Sequence, residues 1–209
     1  MSEILLARHG RTAWHSGNRY TGASDLDIDS EGETQAARLG RWAGGQGLSA
    51  LAATSLRRTQ STAAAVAEVT GLRVDLLPEL REIDFGIAEG RTMTELRGTH
   101  PAEAAAFERD PVSDHWPGGD DPRARTTTAL AALGDWAASL TGRGMLVCHS
   151  TMIRLLVCEV LGVPLSEYRR RLPRLDPVAV TALHRSGTGT WALLRYNVPP
   201  EGAHDGSTP

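Results

Sequence analysis

The chain contains no lysine. All 22 of its basic residues are arginine, so it has no Schiff-base nucleophile, no attachment point for pyridoxal phosphate and no P-loop lysine. Cysteine is nearly absent too. Cys148 and Cys158 both lie in apolar surroundings, without CxxC or zinc-ligand spacing, which excludes a disulfide framework and predicts two reduced core residues. No run approaches the roughly 18 apolar residues of a membrane span, and no basic n-region precedes an apolar h-region at the N-terminus; a cytoplasmic location is the expectation. Strong charge of either sign is also missing. A formal net charge of -3 over 209 residues argues against nucleic acid or an anionic membrane as the main partner. Neither a composition break nor an internal repeat divides the chain, and 41% hydrophobic content suffices for one sizeable core. The expected organisation is a single domain over residues 1–198, followed by a flexible Pro/Gly/polar tail at 199–209.

What is present alternates. Strand-like runs fall at 4–8, 50–53, 73–77, 145–149, 178–184 and 190–196, with helical patterns between most of them. Residues 31–44 place Ala36, Ala37, Leu39, Gly40 and Ala43 on one side, with Ser30 as N-cap and Glu33 as its capping-box partner. A second helix spans about 57–70 and closes at Gly71; a third opens at Pro122 and runs to about 140; a fourth covers 151–162 and ends at Gly162. This alternation predicts an α/β fold, a mainly parallel, doubly wound sheet with helices on both faces. The last two runs, joined by Arg185-Ser186-Gly187-Thr188-Gly189, are expected as an edge hairpin.

Two of the strand-like runs end in histidine. Ile4-Leu5-Leu6-Ala7 leads into Arg8-His9-Gly10, and Met145-Leu146-Val147-Cys148 into His149-Ser150-Thr151; strand ends are where ligands bind in open α/β sheets. A third run, Leu51-Ala52-Ala53, ends at Thr54-Ser55-Leu56-Arg57-Arg58-Thr59, and a helix start there favours an anion. The segment Leu80-Arg81-Glu82-Ile83-Asp84-Phe85-Gly86, followed by Ala88-Glu89-Gly90, supplies carboxylates. Two histidines, at least two arginines and a carboxylate make a site suited to binding and cleaving a phosphate ester, because the guanidinium fork matches phosphate oxygens.

These blocks, in this order, resemble the histidine phosphatase superfamily, also called phosphoglycerate mutase-like. Arg8-His9-Gly10-Arg11-Thr12-Ala13-Trp14 is similar to its opening signature. Asn18-Arg19-Tyr20-Thr21-Gly22 with Asp25 and Gly32-Glu33-Thr34-Gln35-Ala36 is similar to the next block. Thr54 to Arg58 with Thr62, Leu80 to Gly86, and Val147 to Ser150 resemble the remaining ones. The resemblance covers residues 4 to about 184 and implies a phosphoglycerate mutase-like fold.

The resemblance further implies that His9 takes the phosphoryl group, that Arg8, Arg58 and His149 hold its nonbridging oxygens, and that Glu82 protonates the leaving oxygen. Arg58 is preferred to Arg57 on its spacing to Thr62, and Glu82 to Asp84 and Glu89 on the match of its block. His15 stands where relatives often have Asn, so either His15 or Asn18 supplies that phosphate contact; Thr21, Gly22 and Ser150 complete the expected substrate-binding set. Ser150-Thr151 replaces a pair of glycines, and Pro117-Gly118-Gly119-Asp120-Asp121 has shorter acids than relatives show. The five tryptophans, and the basic run Arg169-Arg170-Arg171 with Arg174, are read as packing and as a solvated helix face. Residues 91–116 hold only the dispersed Arg91, Arg97 and Arg109, which favours hydrolysis over mutase action. The expected activity is a metal-independent phosphomonoester hydrolase of the small-phosphatase or α-ribazole-phosphate type, without a cofactor. Its expected partner is a small phosphorylated metabolite (a sugar phosphate, a nucleotide or an α-ribazole phosphate), not nucleic acid or membrane, with homodimer formation open. The alternatives are phosphoglycerate mutase-type transfer and a noncatalytic phosphate-binding module.

Overall fold

A computed structural model describes residues 2–200; the expected tail from 201 onward and Met1 lie outside the described residues. The strands are β1 (Ser2–Arg8), β2 (Leu48–Ala53), β3 (Val74–Leu76), β4 (Arg143–Cys148), β5 (Val180–Arg185) and β6 (Trp191–Val198). The helices are α1 (Ser30–Gly44), α2 (Arg57–Thr70), α3 (Met93–Thr99), α4 (Pro101–Arg109), α5 (Pro122–Ser139), α6 (Ser150–Leu161) and α7 (Tyr168–Arg171). All six strands form one sheet in the order β3-β2-β4-β1-β5-β6. The first four pair in parallel, whereas β5 pairs antiparallel with both β1 and β6. The mainly parallel α/β fold is therefore observed, with the expected hairpin at one edge.

The period-2 geometry of a strand sorts side chains onto two faces. From β1, Ile4 and Leu6 enter one cluster with Leu133 of α5 and Leu155 of α6, while Leu5 and Ala7 enter another with Leu39 of α1 and Val66 of α2. Both faces are thus covered, as a parallel sheet requires. Each fully buried aliphatic side chain contributes about 1.5–3 kcal/mol relative to exposure. α1 and α2 approach closely because position 40 is glycine: a Cβ there would stand 2.4 Å from the Ala65 carbonyl oxygen.

α1 starts differently from the expectation. Its N-cap is Asp29, whose carboxylate accepts from the Gly32 N–H at 2.9 Å, and Ser30 is already the first helical residue. The carboxylate is the better cap, since it satisfies an orphan N–H and places negative charge at the positive end of the helix. Ala37 is exposed rather than on the buried side, which comprises Gly32, Ala36, Leu39, Gly40 and Ala43. Among the described residues no helix is long and apolar enough to cross a membrane.

Candidate active site

The register of the two central strands brings the histidines together. Arg8 of β1 stands opposite Cys148 of β4, and the His9 N–H donates to the Cys148 carbonyl at 3.0 Å. The rings of His9 and His149 are then 5.4 Å apart between centroids. His9 is 4% exposed and forms part of the wall of a cavity of about 490 Å³. Its Nδ1 lies 2.7 Å from the Gly10 carbonyl oxygen. A carbonyl only accepts, so the proton sits on Nδ1 and the lone pair on Nε2. Burial, reinforced by the charges of Arg58, His149 and Arg8, holds the His9 pKa well below its ordinary value, and the ring is neutral at pH 7.

His149 is the N-cap residue of α6 and is fully buried with Arg58. Arginine only donates, so Nδ1 of His149, 3.3 Å from Arg58 Nε, is an acceptor, and the ring proton on Nε2 points to Thr54 Oγ1 at 2.9 Å. The relay continues from Thr54 to Thr59 Oγ1 at 2.9 Å, and Thr59 donates to the Leu56 carbonyl at 2.7 Å. Burial and then Arg58 keep His149 well below the usual histidine range. The remaining donors of Arg58 hold the carbonyls of Ser24 and Gly22 at 2.8 and 2.7 Å. Arg57 faces away: its backbone N–H donates to Asp25 and its side chain pairs with Asp27 at 3.0 Å.

Arg8 donates to the Leu175 carbonyl at 2.5 Å and to Nε2 of His15 at 2.6 Å, and its buried Nε has no partner among the described residues. Burial lowers its pKa to about 10. His15 therefore accepts on Nε2, and its Nδ1 lies 3.0 Å from both the Thr12 backbone N–H and Thr12 Oγ1. Burial and the neighbouring Arg8 charge push its pKa down to about 4. The segment that receives Arg8 is strained. Val178, which donates to the Arg8 carbonyl at 3.0 Å, adopts φ of 54°, and for a β-branched residue that conformation costs of order 1–3 kcal/mol.

Glu82 is 4% exposed beneath the start of α6. Its carboxylate accepts from the N–H groups of Thr151 at 2.9 Å, Met152 at 3.0 Å and Ile83 at 3.1 Å. Burial outweighs these donors and raises its pKa. The two competing acids have structural work. Asp84 closes a turn on the Gly86 N–H, and Glu89 gathers the N–H groups of Gly22, Ala23, Ser24 and Phe85 together with the Ser24 hydroxyl. Position 22 must be glycine, because a Cβ would stand 2.1 Å from the Ile83 oxygen and 2.2 Å from Glu89 Oε1. Asp120 pairs with Arg81 at 2.9 Å and accepts from the Asp84 N–H at 2.8 Å, fixing the loop that carries Glu82.

His15, Asn18, Thr21 and Ser150 line the cavity with Arg8, His9 and Glu82; Gly22 stands behind it, contributing its carbonyl to Arg58. Sequence reasoning missed Arg154, Tyr20, Met93 and Asp176, which also line it. For Arg154 a signal existed: it follows Ser150 at i+4 on α6, so both lie on one face. The basic run is not one solvated face. Arg169 and Arg174 line the cavity, whereas Arg170 and Arg171 turn to Glu167.

A family model described as the histidine phosphatase superfamily (branch 1) matches residues 4–199. The "Probable phosphoglycerate mutase GpmB" of Enterobacter sp. (strain 638) is 32% identical over 171 residues, 81% of this chain and 80% of that protein. Among solved structures, Bacillus stearothermophilus YhfR superposes with a TM-score of 0.87 at 24% identity, covering 95% of this chain and 98% of its own. A mycobacterial glucosyl-3-phosphoglycerate phosphatase gives 0.85 at 24% identity, covering 94% and 99%. At such identity the two structures establish the fold alone. The family match spans nearly the whole described chain and takes in every block around the cavity: the protein belongs to the histidine phosphatase superfamily, branch 1, and is one of its enzymes.

Proposed function

We propose that this protein is a cytoplasmic phosphomonoesterase, residues 1–198 acting as one domain, that hydrolyses small phosphorylated metabolites through a phosphohistidine at His9. The observation that carries this reading is the state of the His9 ring. It is neutral, its proton is held by the Gly10 carbonyl, and its Nε2 lone pair has no partner among the described residues of a cavity that also contains Arg8.

In the first step Nε2 of His9 attacks phosphorus, the P–O ester bond breaks, and the leaving oxygen takes the proton of Glu82. Arg8, on the cavity wall, stabilises charge on the equatorial oxygens, which is most of what phosphoryl transfer asks of a protein; Arg58 and His149 stand behind the wall with their donors on the Gly22 and Ser24 carbonyls and Thr54, and contacts from them to those oxygens require exchanging these partners for the substrate. In the second step water attacks the phosphohistidine, Glu82 accepts the water's proton, and inorganic phosphate leaves with His9 restored. The raised pKa of Glu82 suits it to begin as an acid.

Access of water favours hydrolysis over isomerisation. Asn18 is exposed at the cavity wall and the Arg174 side chain is 79% exposed there, whereas a mutase must shield its phosphoenzyme. The mutase reading keeps one specific support, the extra arginines in the cavity, so the dispersed arginines of 91–116 no longer decide between the two. The test is phosphate release from p-nitrophenyl phosphate. Wild-type protein should turn over and form an acid-labile phosphoenzyme, and folded His9→Ala should lose at least about 10³-fold in turnover. Undiminished activity of that variant would overturn the mechanism.

A further inference from the structure

The Arg8 guanidinium is aimed by two acceptors, Nε2 of His15 and the Leu175 carbonyl, and the second belongs to a segment with no helix or strand of its own. Leu175 lies between α7 and β5. Its side chain is packed into the core at 4% exposure, which anchors the Cα but leaves the direction of the carbonyl to the backbone torsions on either side. The same segment carries Val178 at φ 54°. Strain of that kind persists only where the surroundings over-determine it.

β6 grips the chain on both sides of Leu175. Before it, the Tyr196 hydroxyl donates to the Arg174 carbonyl at 2.7 Å. After it, the Asp176 N–H donates to Asn197 Oδ1 at 2.8 Å, and Asn197 Nδ2 donates to the Asp176 carboxylate at 3.2 Å. Consecutive side chains of a regular strand point to opposite faces, so Tyr196 and Asn197 could not both reach one segment from such a strand. They sit in a bulge. Between the pairs Val180–Val198 and Ala182–Arg195, β6 holds one residue more than β5, and Asn197 takes φ of 53° there, a left-handed backbone that asparagine tolerates better than most residues. A bulge on an edge strand discourages pairing with other chains; this one also re-aims two side chains toward the site.

We infer that Tyr196 and Asn197 are positioning residues for phosphoryl binding, acting through the Arg174–Asp176 segment to direct the Leu175 carbonyl, and with it Arg8, at the cavity. The phosphatase reading enters only in assigning Arg8 to the phosphoryl group. Orthovanadate, a mimic of that group, is therefore titrated by calorimetry, with no turnover required. Asn197→Gly keeps the left-handed backbone and removes the amide, whereas Tyr196→Phe removes a single hydroxyl; urea midpoints confirm that each variant is folded.

Each change should weaken vanadate binding about fivefold, the scale of one neutral hydrogen bond, and kcat/KM on p-nitrophenyl phosphate should fall in step. In an Arg8→Gln background neither should weaken it further, because groups that act through one side chain are coupled to it. Equal losses with and without Arg8 would make the grip a general structural contact and overturn the proposal, as would wild-type vanadate affinity in both folded single variants. If Arg8→Gln itself binds vanadate like the wild type, Arg8 makes no phosphoryl contact and the proposal falls with that assignment. Coupled losses in a protein that releases phosphate from no ester would uphold the positioning role and overturn hydrolysis instead.

Discussion

Arg8 donates to Nε2 of His15 at 2.6 Å, so the cation beside the reactive histidine is aimed by a second, neutral histidine. The arrangement depends on His15 staying unprotonated, and its pKa of about 4 ensures this near neutrality. Because that value is depressed below the unfolded-state value of about 6.5, the folded protein resists protonation. The resulting stability is present above pH 6.5 and is lost as pH falls toward 4; buried His9 and His149 act with the same sign. The wild-type melting temperature should therefore drop across this window, and that of His15→Asn less steeply. Parallel melting curves for the two proteins would remove His15 from the account.

Glu82→Gln should lower phosphate release from alkyl phosphates by about 10²–10⁴-fold, since the amide neither protonates the leaving oxygen nor deprotonates water. The loss in the phosphorylation step should be smaller with p-nitrophenyl phosphate, whose leaving group departs unaided. In the wild type, kcat/KM should decline as pH rises past the elevated Glu82 pKa, and the variant should lack that decline. A uniform loss across leaving groups with an unchanged pH profile would assign Glu82 a structural role.

Gly22→Ala should be destabilising by about 1–3 kcal/mol, the usual cost of forcing a methyl into packed surroundings, because the new Cβ meets the Ile83 carbonyl and Glu89. Activity should fall further than stability, since the Gly22 carbonyl holds Arg58 at 2.7 Å. Urea midpoints and kcat measured side by side check this; a stable, fully active variant contradicts the geometry.

Charge neutralisation at this site is assigned to guanidinium groups, and among the described residues no three His, Cys, Asp or Glu side chains are grouped as metal ligands would be. Phosphatase activity should survive excess EDTA. Abolition by chelator with recovery on adding Mg²⁺ or Zn²⁺ would mean a metal takes part.

Strands and helices were legible because hydrophobic period and punctuation agree: Pro122 opens α5, and Gly71 and Gly162 close α2 and α6 with positive φ. The blocks around His9, Arg58, Glu82 and His149 were legible as short motifs at element ends. The charge of the cavity was not, because it depends on which distant segments cross its mouth. Counting arginines in 91–116 misled: Arg97 pairs with Glu108 and Arg109 with Asp114, both outside the cavity, while Arg154, Arg169 and Arg174 arrive from the other end of the chain. Asp29 rather than Ser30 caps α1 for a related reason, since several polar residues in a row each offer a plausible cap until the helix axis is fixed.

The adjacency of β1 and β4 at the middle of the sheet also bears on how fast the enzyme comes into being. His9 and His149 are 140 residues apart in sequence, and they meet only when the first strand zips alongside the fourth. Parallel pairing across so long a loop is slow, since closure entropy is spent before any contact rewards it. During refolding, helical signal should recover well before turnover, and activity should return with the slowest phase. On the ribosome, the same geometry leaves the first strand without its central neighbour until most of the chain has been made.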